Sequence, residues 1–364
     1  MLTQEIAKDI VEQTTIRLNR NINIMDNTGT IIASADPSRV NQVHDGAIEV
    51  IQTGKTLIIH QEDRTKWNRS LPGINLPIEF QNDIVGVIGI TGTPDEIREF
   101  GELVKMNTEI MLRQAYLMEQ LEWKQRLKDQ IFDSLIKGSF NLKTLQQKLE
   151  LIDMTMKPPY QVSILEVSSS SLKRSQLMEV FEQLFSFQET FVGFLGMKQM
   201  YILTTGIQIE NVQKKLKKTI DHFALKGITA RVGCGSSIPL IEEIPLSFQE
   251  AIHAISLGER DKPFISYTEI KSKALIYLLD NETKKRYYEP ILDNLSDKLM
   301  ETLNHFFQCN LNIGDCAKKM FIHRNSLIYR LKKVKEITGY NPQELRDVIP
   351  LQLAIWLREM DLGE

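Results

Sequence analysis

The chain has 364 residues but only three cysteines, Cys234, Cys309 and Cys316, too few and too unevenly spaced for a disulfide framework or a paired metal knuckle. Reduced thiols in a cytoplasmic protein are the expectation. Six histidines (His44, His60, His222, His253, His305 and His323) show no H-E-x-x-H or comparable ligand spacing, so no metal is expected. The string V-G-C-G-S at Val232 to Ser236 lacks the lysine and the length of a P-loop and reads as a tight strand end. No Ser or Cys sits in a nucleophile elbow. Together these absences argue against an enzyme and against a bound cofactor. No apolar run reaches membrane-spanning length, and the opening M-L-T-Q-E-I-A-K-D-I-V-E-Q threads charges through its apolar positions, predicting an amphipathic helix and no signal peptide. Net charge is also small, −3 from 44 basic and 47 acidic residues, so any local excess of one sign stands out.

What is present is the composition of a folded soluble protein, 42% apolar and 25% charged, in a chain too long for one core, so two or three domains are expected. The most informative stretch runs from Asn312 to Gly339, N-I-G-D-C-A-K-K-M-F-I-H-R-N-S-L-I-Y-R-L-K-K-V-K-E-I-T-G. Asn312 can cap a helix beginning at Ile313, with Asp315 adding negative charge at its positive end. Ala317 is small where a second helix crosses, Phe321 to His323 form a turn, and a second helix starts near Arg324. Its Leu327, Leu331 and Val334 recur at four and three residues, one apolar stripe for a core. Between Ile313 and Lys335 stand seven cations against one carboxylate, Asp315, the footprint expected for phosphate contacts. This predicts a helix-turn-helix for double-stranded DNA, with His323, Arg324, Asn325, Ser326, Tyr329, Arg330, Lys332 and Lys333 as candidate contacts. One departure is Phe321, where many such units place Gly in the turn.

The string H-R-N-S-L-I-Y-R-L from His323, with E-I-T-G-Y-N-P from Glu336 and L-Q-L-A-I-W-L from Leu351, resembles the PucR-type C-terminal DNA-binding domain. At the other end, N-I-N-I-M-D (Asn21 to Asp26), G-T-I-I-A-S (Gly29 to Ser34), H-D-G-A (His44 to Ala47), G-I-N-L-P-I (Gly73 to Ile78) and I-V-G-V-I-G-I-T-G (Ile84 to Gly92) resemble the recognition domain of carbohydrate diacid regulators. The resemblance implies a bacterial transcription factor, an activator answering to glycerate, glucarate or galactarate.

The expected fold class is α+β and multidomain: a PAS-like antiparallel sensor, a long linking helix, a cyclase-like middle domain and an all-α DNA-binding domain, divided as 1–137, 138–270 and 271–364. In the sensor, strands at Ile22 to Asp26 and Thr30 to Ser34 flank an Asn27-Thr28-Gly29 turn. A helix follows from Asn41 to Thr53, ended by Gly54, and then strands at Thr56 to His60, Ile74 to Phe80 and Ile84 to Thr91. Pro94 can open a helix, and with neither Pro nor Gly between Gly101 and Gly138 it can run to Lys137, ~65 Å. Its Leu103, Met106, Ile110, Leu117, Leu121, Leu127, Ile131 and Leu135 keep a heptad-like spacing, the basis for expecting a homodimer. The middle segment resembles a GGDEF-like domain whose Leu195-Gly196-Met197-Lys198 hairpin offers no carboxylate for Mg²⁺ and triphosphate, so it is read as non-catalytic.

The resemblance implies an effector site among Ser34, Asp36, Arg39 and His44, opposite Gly73, Ile74, Asn75 and Leu76; without it Arg39 and His44 read as surface or helix-start residues. Arg39 can hold a carboxylate with two parallel hydrogen bonds and His44 can add one. Gly73 allows close backbone approach and Asn75 can pair with hydroxyls. Asp36 is open to a second reading, ordering the loop ahead of Pro37.

Overall fold

The computed structural model describes residues 2–18, 20–62, 67, 71–168, 174–185 and 188–362. It divides into two compact units, Met1–Arg126 and Leu127–Glu364.

In the first unit, helix α1 (Gln4–Leu18) precedes strands β1 (Ile22–Asp26) and β2 (Ile31–Ser34), helix α2 (Asp45–Thr53), and strands β3 (Leu57–Ile59), β4 (Gly73–Phe80) and β5 (Asp83–Thr91). The five strands form an antiparallel sheet in the order β2-β1-β5-β4-β3. The β1–β2 turn forms because the Asp26 carboxylate accepts from the Thr28 and Thr30 amides at 2.8 and 3.0 Å, and Gly29 takes φ +83°. Period-two alternation gives the sheet two faces. One carries Ile22, Ile24, Ala33, Ile74, Leu76, Ile78, Ile88 and Ile90, packed on Ala7, Ile10 and Val11 of α1 and on Ile97, Val104 and Leu112 of helix α3 (Pro94–Ile136). The other packs Met25, Ile31 and Val87 against Ala47 and Val50 of α2.

Helix α2 is shorter than the expected Asn41 to Thr53. Asn41 has φ +67°, which a right-handed helix cannot hold, and residues 37–39 form a separate 3₁₀ turn. His44, expected inside the helix, is its N-cap, and Gly54 ends it at φ +68° as predicted. The apolar spacing along α3 serves two purposes. Leu103, Met106, Ile110, Leu117 and Leu121 are exposed, whereas Leu127, Ile131 and Leu135 are buried in the second unit's core.

That unit continues with α4 (Leu142–Leu151), β6 (Tyr160–Val167), α5 (Arg174–Leu184), β7 (Thr190–Phe194), β8 (Gln199–Thr205), α6 (Ile209–Leu225), β9 (Ala230–Cys234), α7 (Ile244–Leu257) and β10 (Phe264–Ser266). Its sheet runs β10-β9-β6-β8-β7, antiparallel except for β10 on β9. The end of α3 packs with α4 and α7 on one face; α5 and α6 cover the other. The Tyr201 hydroxyl donates to the Asp129 carboxylate at 2.6 Å while its ring stacks on Phe132, centroids 3.6 Å apart. Residues 195–198 link β7 to β8 without a carboxylate.

Six helices follow: α8 (Tyr267–Tyr277), α9 (Asn281–Leu292), α10 (Asp297–Gln308), α11 (Ile313–Lys319), α12 (Arg324–Thr338) and α13 (Leu345–Leu362). Two buried clusters hold them, one joining α9, α12 and α13 through Leu292, Val334 and Leu351, the other joining α10, α11 and α12 through Phe306, Ala317 and Leu331. Cys234 and Cys316 are buried free thiols, pushed up to about 12 and about 11 chiefly by burial. Among the described residues no helix is long and apolar enough to cross a membrane, and no group of three or more His, Cys, Asp or Glu could hold a metal ion.

Candidate effector pocket and nucleic-acid interface

The α2-facing side of the first sheet is apolar except for one cross-strand row. Register places Ser34 opposite Asn23, Asn23 opposite Gly89, Gly89 opposite Asn75, and Asn75 opposite Leu57. Two asparagines, 2% and 3% exposed, therefore flank a glycine on a sheet face that is otherwise a hydrophobic core. A Cβ at Gly89 would stand 2.9 Å from the Asn75 side-chain oxygen, so the absent side chain is what leaves room between the two amides. Asn23 accepts from the Ser34 hydroxyl at 2.6 Å. Among the described residues no protein group hydrogen-bonds the Asn23 amide nitrogen or either end of the Asn75 amide, which leaves these donors and the acceptor open to a molecule that reaches the row.

The N-terminus of α2 closes on this row. A Cβ built on Gly46 would lie 3.2 Å from the His44 ring and from Ile59, and 3.3 Å from the Asn75 nitrogen, so these four residues meet at one point. His44 Nδ1 accepts from the Ala47 amide at 3.3 Å, which places the neutral ring's hydrogen on Nε2. Burial, helped by the positive charge of Arg39, lowers the imidazole to about 4, so at neutral pH it is an uncharged donor. Arg39 is half-buried at the end of the 3₁₀ turn, near enough for its charge to act on both His44 and Asp36.

The expected site residues separate into two groups. Asn75 and His44 meet, and Arg39 acts on His44. Ile74 and Leu76 do not join them: strand alternation sends both to the opposite face, into the core under α1 and α3. Gly73 is ladder-paired on both sides, to Ile59 and Thr91, and a Cβ there would collide with the Ile90 backbone, so its lack of a side chain serves strand approach. Asp36 caps the 3₁₀ turn by accepting from the Ser38 amide and hydroxyl at 3.0 and 2.7 Å, the loop-ordering role, and these bonds hold its carboxyl below the usual range. Ser34 accepts from the Asp36 amide at 3.0 Å. Asn23 and Gly89 were not singled out from sequence. The available signals were an Asn between Ile22 and Ile24 and a Gly inside an apolar strand.

In the second unit, α11 and α12 form the expected pair. Asn312 caps α11 by accepting from the Asp315 amide at 3.1 Å. Leu327, Leu331 and Val334 are buried as the apolar stripe required, and Arg324, Asn325, Ser326, Tyr329, Lys332 and Lys333 are exposed. Two of the candidates are otherwise engaged. His323 caps α12, its Nδ1 accepting from the Asn325 amide at 3.2 Å, and half-buried Arg330 turns back to donate to the Thr302 hydroxyl at 3.2 Å. Lys333 pairs at 3.0 Å with Glu336 on the surface, a contact a phosphate can replace.

Comparison with known proteins matches three family models along the chain: sugar diacid recognition over residues 2–135, a GGDEF-like domain over 138–257, and the PucR C-terminal helix-turn-helix domain over 299–357. The purine catabolism regulatory protein of Bacillus subtilis is 28% identical over 36% of this chain and 27% of its own. A crystal structure of a regulator of polyketide synthase expression from Bifidobacterium adolescentis covers 64% of this chain and 92% of its own at 14% identity, with a TM-score of 0.29, too distant a likeness to define the fold. An uncharacterized protein of Haemophilus influenzae is 30% identical over 98% of this chain and 99% of its own. The carbohydrate diacid regulator of Escherichia coli is 30% identical over 98% of both chains. Identity of that extent, carried from the recognition segment through to the helix-turn-helix, establishes that the chain belongs to the carbohydrate diacid regulator family.

Proposed function

We propose that the protein is a transcriptional activator whose first unit, a PAS-like sensor, binds a small hydroxy-carboxylate such as glycerate, glucarate or galactarate, and whose α11–α12 pair reads an operator controlling genes for that acid's breakdown. The observation that carries the effector reading is the row Asn23, Gly89, Asn75 beneath His44. Two buried amides with unmet hydrogen-bonding capacity suit the hydroxyls of an acyclic sugar acid, and Arg39 with the His44 Nε2–H suits a carboxylate. Asp36 and Ser34 hold the loop that carries Arg39. The acid acts by binding one arrangement of the protein better than another, because a ligand moves an equilibrium only by its differential affinity. The working division is a sensor over 1–137, a GGDEF-like middle domain over 138–270 and a DNA-binding domain over 271–364, assembled as a homodimer without cofactor or metal.

Calorimetric titration of the full chain with the three acids tests the pocket. Arg39→Ala removes a charge-assisted bond of roughly 1.5 to 3 kcal/mol, so effector affinity falls about ten- to hundredfold. Asn75→Ala falls by a similar factor, and basal operator binding in a gel shift hardly changes for either. Normal effector binding by a folded Arg39→Ala protein would place the carboxylate elsewhere. The second reading, a nucleotide enzyme working through the GGDEF-like domain, requires GTP with Mg²⁺ to raise the melting temperature; the carboxylate-free hairpin at 195–198 speaks against it.

A further inference from the structure

The turn between α11 and α12 is closed by a helix C-cap of the Schellman type: the Ile322 amide donates to the Ala317 carbonyl at 3.0 Å and the Phe321 amide to the Lys318 carbonyl at 3.2 Å. This geometry puts Phe321 in the left-handed region, φ +54°. Glycine is the usual residue there because a Cβ is strained in that conformation. The same chain uses glycine for the purpose elsewhere, Gly54 after α2 at φ +68° and Gly339 after α12 at φ +80°. Leu311, another left-handed residue, gives a folding reason for its side chain by packing into the cluster of Phe306, Cys316 and Leu327. Phe321 gives none: it is 96% exposed. Among the described residues it is the only aromatic with positive φ.

A bulky ring thus occupies a strained position, contributes no packing, and stands three residues ahead of Arg324, where the helix proposed to enter the major groove begins. Lys318 and Lys319 precede it and Arg324 follows it, cations that draw the turn toward phosphates rather than toward an apolar protein surface. We infer that Phe321 is a DNA-contacting residue, its ring packing against apolar parts of the duplex, a thymine 5-methyl at the groove edge or a deoxyribose. The inference rests on the DNA-binding reading of α11 and α12.

The test uses full-length protein and a duplex that the wild type selects from a randomised pool. Phe321→Gly keeps or raises the melting temperature by relieving the backbone, while affinity for the duplex falls about tenfold. Binding therefore falls without any loss of stability, which a purely structural residue would not produce. Replacing single thymines by uracil separates the two contacts. A loss of about fourfold at one position for the wild type, absent for Phe321→Gly, assigns the methyl; no uracil effect with the variant still weakened assigns the sugar. Equal affinity of wild type and Phe321→Gly overturns the inference alone. So does an affinity loss accompanied by a change of oligomeric state in sedimentation, which would assign the ring to a protein interface. A wild type that selects no duplex overturns the DNA-binding reading itself, and this inference with it.

Discussion

His44 shows how one side chain serves local structure and chemistry together. As N-cap it satisfies the Ala47 amide, and as a buried neutral ring it keeps Nε2–H available beneath α2. Its depressed pKa has a stability consequence with a definite sign. The unfolded ring titrates at 6.5 and the folded one at about 4, so the unfolded chain binds more protons between those values. The contribution is fully present above pH 6.5 and is lost as pH falls toward 4, on the order of 3 kcal/mol across the window. Hydrogen-exchange protection of the α2 amides is expected to fall over this range. His44→Asn, which keeps a competent cap without a titrating ring, is expected to flatten the dependence. A wild-type profile flat from pH 7 to 4.5 would mean the ring is not held neutral.

Among the elements, α12 is where sequence was most informative. The Asn312 cap of the preceding helix and the apolar stripe of α12 are local properties of contiguous residues, and each appears where the spacing placed it. Asn325→Ala is expected to relax sequence preference at a cost of about 1 to 3 kcal/mol on the preferred duplex. Lys333→Ala should weaken all duplexes alike and lower the salt slope by about one. Anisotropy titrations at several salt concentrations separate the two, and unchanged curves for both would remove α12 from the interface. The row proposed to hold the effector is less legible, for a physical reason. Asn23, Gly89 and Asn75 adjoin only through strand register, and β1 lies between β2 and β5, strands far apart in sequence. Ile74 and Leu76 were expected beside Asn75 because they are its neighbours in sequence, yet a strand turns neighbours to opposite faces. His323 is a candidate DNA contact by its place in the helix-turn-helix string and Arg330 by its charge; neither signal reveals a cap bond or a hydroxyl on α10.

For the molecule as a whole, the exposed stripe on α3 is the surface that the proposed homodimer would use. Leu103, Ile110 and Leu117 recur every seven residues, with Met106 and Leu121 beside them, each more than half exposed in the single chain. Apolar residues at that repeat form the seam of paired helices. A charge there is left buried and unpaired on association, so Ile110→Lys should shift sedimentation toward monomer, with the circular dichroism spectrum unchanged. A dimer equally stable in the variant would move the interface elsewhere.

The two buried thiols lead somewhere else. Cys234 ends β9 in the GGDEF-like sheet and Cys316 lies inside α11, and both are held protonated by burial, so neither reacts while its surroundings stay closed. The rate at which each is captured by a thiol reagent therefore reports how often its own neighbourhood opens. The chain carries one such clock in the GGDEF-like sheet and another in α11, without added labels. Operator DNA should slow the Cys316 clock by holding α11 in place, and the Cys234 clock, timed in the same tube, says how far that protection spreads.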